Sequence, residues 1–105
     1  MPQFAVYRNK NPATKGRFPF LVDVQSDLLE PLATRVVVPL APLGSAKPRL
    51  LETLTPVLHV EGKDYLALIP QLAGVAARDV GPVVGSAAEH RQAILAALDV
   101  LVYGV

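Results

Sequence analysis

Apolar positions fall into short runs that alternate with polar ones and are cut by prolines and glycines, until the last twenty residues change period. Phe4-Ala5-Val6-Tyr7 and Phe20-Leu21-Val22-Asp23-Val24 read as the first two strands, joined by a polar hairpin loop over residues 8–17. Arg35-Val36-Val37-Val38-Pro39-Leu40 is the strongest strand signal. Val36 and Val38 alternate with Val37, so both faces of this strand are expected to be covered. Pro39 lacks a ladder donor and is expected at the strand's end or at a sheet edge. Pro42 to Pro48 reads as a loop, and residues 49–54 as a short helical turn. Pro56–Val60 and Tyr65–Ile69 form a hairpin across Glu61-Gly62-Lys63-Asp64, where Gly62 supplies the positive φ of the turn. Leu58 and Val60 share one face of the first arm, and His59 points the other way. Pro70 ends the second arm. Val75 to Val80 reads as a weak final strand that Gly81-Pro82 breaks.

From Ser86 the period becomes helical, and one helix is expected over about residues 86–103, running on toward Val105. Ser86 and Glu89 fit a capping box, whose loss typically costs about 1 kcal/mol. His90, Ile94, Ala97, Leu98, Leu101 and Val105 make one apolar face. Gln92, Ala96, Asp99 and Tyr103 fall opposite, so Tyr103 is expected on the solvent side.

A chain of 105 residues leads us to expect one domain spanning 1–105, and its 51% hydrophobic content suffices for a core. Ten basic residues nearly balance nine acidic ones, and a formal charge of +1 creates no field that suggests a nucleic-acid or membrane partner. The absence of cysteine removes disulfides and thiol chemistry and fits a reducing cytoplasm. Met1-Pro2-Gln3-Phe4 does not resemble a signal peptide, and no uninterrupted apolar run approaches the length of a membrane span.

Candidate chemistry is sparse. His59 and His90 are far apart in sequence, without the three or four donors that a metal site needs. His59 is expected to be exposed, and His90 to be a neutral, hydrogen-bonded packing residue on the helix. Gln25-Ser26-Asp27 lacks the glycines of a nucleophile elbow. Asp23 and Asp27 near a strand end read as turn formers. No phosphate-cradling loop is present, so neither a metal, a cofactor nor a catalytic role is expected. What remains is surface. Arg8, Lys10, Lys15 and Arg17 make the first loop basic, either as solvated charges or as a binding loop. Leu28-Leu29 sits in a turn-rich segment, as a core plug or as an exposed contact. Tyr103 has the shape of an interface anchor, because it buries a large area with few torsions to freeze.

Three strings carry a family resemblance: Leu21-Val22-Asp23-Val24-Gln25-Ser26-Asp27-Leu28-Leu29, Arg35-Val36-Val37-Val38-Pro39-Leu40 and Pro56-Val57-Leu58-His59-Val60. With a final helix ending in Gly104 and the β-branched Val105, they resemble the CcdB family of gyrase-poisoning toxins from Gln3 to Val105. The resemblance implies a mainly β (α+β) fold, an SH3-like, partly open barrel of antiparallel strands with one C-terminal helix on the sheet. It implies a homodimer that binds the DNA gyrase A subunit and traps the enzyme on cleaved DNA, making and breaking no bonds itself. The family's gyrase contacts carry over onto Ser26, Leu28, Leu29, Asp99, Val102, Tyr103, Gly104 and Val105. Three positions depart from the family pattern: Tyr103 stands for Trp, Val102 for Phe and Asp99 for Asn. The second implied partner is a CcdA-like antitoxin with an acidic tail. By charge alone Arg8, Lys10, Lys15 and Arg17 are candidates to face that tail, and no antitoxin contact carries over residue by residue because the loop differs in length from the family pattern. Toxin and antitoxin together would repress their operon, with operator DNA met only as part of that complex. Two alternatives stay open: a MazF-like ribonuclease on the same barrel, recruiting Thr14, Arg17 and Arg35, and a non-toxic relative that only binds antitoxin.

Overall fold

The computed structural model of the chain describes residues 2–43 and 54–104. Among them, alternation of inward and outward side chains builds seven strands: β1 (Ala5–Asn9), β2 (Phe20–Asp23), β3 (Thr34–Pro42), β4 (Val57–Val60), β5 (Lys63–Ala67), β6 (Ala73–Ala76) and β7 (Val80–Ser86). All pairings are antiparallel, in the order β4-β5-β3-β2-β1-β7 with β6 added beside β3. The sheet curls into a half-barrel, and one α-helix, α1 (Arg91–Tyr103), packs on it. The mainly β, partly open barrel implied by the resemblance is the fold observed.

Strand β3 organises the curl by changing partner along its length. Its first half pairs with β6, Thr34 opposite Ala76 through Val37 opposite Ala73, and its last residues pair with β5, Leu40 opposite Ala67 through Pro42 opposite Tyr65. Pro39 therefore sits inside the strand, not at its end or on a sheet edge as its missing donor suggested. A strand residue points its N–H and C=O to the same side, and the Pro39 carbonyl accepts from Leu68 N at 3.0 Å. The absent donor thus faces the junction where β6 gives way to β5, and no ladder bond is lost there. Val37 and Val38 are both buried and Val36 is half-buried, so both faces of β3 are covered.

The main core lies under α1. Val6, Val22, Val38, Leu40 and Leu58 from the strands meet Ile69, Ile94 and Ala97. Full burial of a side chain such as Ile94 contributes about 1.5–3 kcal/mol. Phe20 and Tyr65 meet edge to face, with ring centroids 5.3 Å apart. On the other face of β1, Ala5 and Tyr7 form a second cluster with Val80 and Leu21.

Several boundaries differ from the sequence expectation. Phe4 lies outside β1, in a turn with φ of 70°. There its N–H donates to Asp23 O at 2.6 Å and its carbonyl accepts from Ala87 N at 2.8 Å, which ties the end of β2 to the approach to α1. The β4–β5 turn is tighter than expected: Glu61 (φ 51°) and Gly62 (φ 79°) form a two-residue connection of primed type, with Val60 opposite Lys63. Strand β5 ends at Ala67, and Ile69–Gln71 forms a 3-10 turn. The expected last strand is two elements, β6 and β7, separated by a 3-10 turn at Ala77–Asp79, and β7 runs straight through Gly81-Pro82. Ser86 closes β7 rather than opening a helix. Its Oγ accepts from Ala88 N at 3.1 Å, a local turn, and a 3-10 turn at Ala88–His90 precedes α1. Neither Ala87 nor His90, the residues that cap these helices, makes a side-chain capping bond, so the capping box does not form. Except for Leu54, the helical turn expected at 49–54 lies outside the described residues, as do residues 44–48 of the expected loop.

Candidate functional site

The last turns of α1 leave the sheet behind. Ile94 and Ala97 are buried and Leu98 is half-buried, but Asp99, Leu101, Val102 and Tyr103 are exposed. Val102 is 71% exposed and Tyr103 75%, which places two apolar side chains side by side in solvent. Gln92, Ala96, Asp99 and Tyr103 all lie on the open face, as the helical period required. Leu101 is more open than its place on the apolar face implied. Gly104 ends the helix in the left-handed region with φ of 78°, donating to Val100 O at 2.8 Å. Only glycine takes that conformation freely, so Gly104 has a structural reason independent of any contact. Val105 lies outside the described residues.

The turn after β2 is the second exposed apolar feature. Ser26 caps a 3-10 turn over Asp27–Leu29, its Oγ accepting from Leu28 N at 3.1 Å, and Asp27 Oδ1 accepts from Gln3 N at 2.7 Å. Leu28 is 90% exposed and Leu29 is also exposed, so neither plugs the core. Exposed leucines beside a tightly bonded turn leave unmatched apolar surface of the kind that marks contact sites.

The basic loop is ordered by its own polar side chains. Asn11 Oδ1 accepts from Ala13 N at 2.9 Å, and Asn9 Nδ2 donates to Thr14 Oγ1 at 3.0 Å and to Phe18 O at 2.8 Å. Arg8, Lys10 and Lys15 line one open cavity of about 520 Å³ together with Pro19 and Pro82. Arg17 does not join them; its guanidinium stacks 5.0 Å from the Phe18 ring centroid.

The residues that a ribonuclease reading would recruit do not converge. Thr14 is engaged inside the loop and Arg17 on Phe18. Arg35 is fully buried, its Nε 2.8 Å from Asp23 Oδ2 and its Nη2 3.1 Å from Asp23 Oδ1. The hydrogen bond to Asp23 raises the Arg35 pKa further above its already high value, so the guanidinium is always charged. The reading of Asp23 as a turn former captures only part of its role, its acceptance from Gln25 N at 3.0 Å; its larger role is this buried ion pair. Sequence reasoning missed the pair. The available signal was one acid and one base, each inside an apolar strand run, types that are almost never fully buried unless matched.

The histidines also meet, despite their distance in sequence. His59 N donates to His90 Nε2 at 3.1 Å, so His90 is a hydrogen-bonded residue, as expected. His59 is exposed as expected, and its Nδ1 lies 2.8 Å from Asp64 Oδ1, a carboxylate partner that the sequence did not suggest. Among the described residues no three histidines or acids gather as a metal site, and no helix is long and apolar enough to cross a membrane.

The half-barrel with one C-terminal helix laid across it is accompanied by a match in sequence. The family model described as "CcdB protein" matches residues 3–104, nearly the whole chain. The chain therefore belongs to the CcdB family, the toxins of toxin–antitoxin pairs.

Proposed function

We propose that the protein is a gyrase-directed toxin that works by binding alone. As a homodimer in the cytoplasm, it inserts its paired helix tips into the DNA gyrase A subunit and traps gyrase on cleaved DNA. Family membership over residues 3–104 carries this reading. The exposure of Val102, Tyr103, Leu28 and Leu29 supports it, because these are the large apolar side chains at the described positions among those that the family resemblance assigns to gyrase. Ser26, Asp99, Gly104 and Val105 complete the proposed contact. Tyr103 keeps an aromatic anchor with a smaller face than Trp, and Asp99 brings a charge that must be matched or stay wet. A CcdA-like antitoxin neutralises the toxin, its acidic tail lying along the cavity of Arg8, Lys10 and Lys15, with Arg17 nearby in the chain. The two together repress their operon on operator DNA.

Inducing the chain in bacteria decides the matter. Growth should stop with gyrase-linked DNA breaks, and Tyr103→Ala should restore growth without changing the thermal midpoint, because its ring touches little. Healthy growth at high levels of folded protein, in a host whose gyrase the purified chain also fails to bind, would overturn the toxin reading.

A further inference from the structure

We propose that Gln25 is a positioning residue: its buried amide clamps the turn that carries Leu28 and Leu29 onto β3 and so presents those leucines to the partner. This rests on the gyrase reading above. Gln25 is the first residue after the buried Val24 and is itself buried. Its side-chain Nε2 donates to Leu29 O at 3.1 Å, and its Oε1 accepts from Val36 N at 3.0 Å. One side chain thus joins the far end of the exposed turn to the neighbouring strand. Its backbone is held in the same place, because Gln25 N donates to Asp23 Oδ1 at 3.0 Å, and Asp23 is fixed by Arg35.

Apart from Gln25, the turn is tied to the N-terminal segment by Asp27 Oδ1, which accepts from Gln3 N at 2.7 Å, and by local bonds. Leu29 N donates to Ser26 O at 3.0 Å and Glu30 N to Asp27 O at 3.2 Å. A three-residue 3-10 turn with no buried residue draws little of its hold from core burial. Gln25 adds an anchorage onto β3, at the end of the turn opposite to the one that Asp27 ties to Gln3. A turn already ordered does not lose that freedom again on binding, and each backbone residue left to be ordered weakens association.

The test uses Gln25→Met, which keeps the length and removes both bonds, and Gln25→Glu, which keeps an acceptor for Val36 N and removes the donor to Leu29 O. Amide hydrogen exchange should speed up about tenfold at Leu28, Leu29 and Glu30 in both variants, and at Val36 only in Gln25→Met. Affinity for purified gyrase A subunit should fall about tenfold in Gln25→Met. The same substitution made on top of Leu28→Ala together with Leu29→Ala should then cost less than about twofold, because it acts through the presented leucines. An equal loss in both backgrounds, or unchanged exchange across the turn, would overturn the proposal. If the unaltered chain does not bind gyrase A, the gyrase reading is overturned and with it the clamp's part in that binding; exchange then decides the clamp alone.

Discussion

Tyr7 is buried in the small cluster on the outer face of β1, and among the described residues its hydroxyl has no hydrogen-bond partner. An unmatched buried hydroxyl costs about 1–3 kcal/mol relative to a matched one. Burial first, and then the nearby Asp23 carboxylate, push the phenol's pKa above its usual 10.0. The folded state therefore prefers the protonated phenol. Its stability is fully present below the unfolded pKa and drains away as pH rises toward the folded one. Tyr7→Phe should leave neutral-pH stability unchanged or raise it by about 1 kcal/mol. It should also flatten the alkaline limb, measured by urea unfolding at about pH 8 and about pH 11. Equal alkaline losses in both proteins would show that another group carries the effect. At this scale the sequence was legible where a residue's surroundings are local. Tyr103 and Asp99 follow from helical period alone. Leu28 was left open between core and surface, because a turn has no period to choose with. Asp23 and Arg35 were misread because their partnership spans two strands, and each alone looks like an ordinary strand-end or surface charge.

Among the elements, β7 shows why a local breaker need not break. It is the last strand in the sheet order, and its register pairs Val80 with Asn9 and Val83 with Tyr7, passing over Gly81 and Pro82 through bulges. An edge strand tolerates a residue with no donor, and a bulge tolerates one out of register. Gly81 is needed for a different reason. A Cβ there would stand 2.7 Å from the Arg8 carbonyl oxygen and 3.0 Å from Arg8 Cβ. The oxygen belongs to backbone held in β1 and cannot swing away. Gly81→Ala should therefore destabilise the fold by about 1–3 kcal/mol, seen as a lower urea midpoint at unchanged slope. A midpoint within error of the parent would mean that β7 shifts freely at its bulge. Strand existence was readable from alternation in β3 and β4, but β7 was missed, because Gly81-Pro82 read as the break after a strand ending at Val80. The breaks were not readable, because sheet position decides whether Pro39 or Pro82 ends a strand, and position depends on pairings far along the chain. The start of α1 was missed for a related reason: the Ser86 hydroxyl fits a cap locally, while β1 draws Ser86 into the ladder opposite Ala5.

For the whole molecule, the proposed mode of action is a question of valence. Each helix tip offers only four exposed side chains, Asp99, Leu101, Val102 and Tyr103, too small an area for tight binding by itself. A two-fold dimer offers the patch twice to a two-fold target, and the second contact then forms at a millimolar-scale effective concentration. Affinity should thus depend on having both tips far more steeply than on either one. A mixed dimer with one unaltered protomer and one carrying Tyr103→Ala, isolated through two different affinity tags, isolates this term. Tyr103 is 75% exposed, so its loss leaves each fold as it was. If the two tips act together, the one-armed dimer should bind gyrase A at least about a hundredfold more weakly than the parent, close to the dimer lacking both rings. If each tip acts alone, counting sites predicts a loss of only about twofold. Such a loss would also explain how Tyr can stand in for a bulkier anchor: a contact that is modest on each side suffices when a dimer's geometry multiplies it.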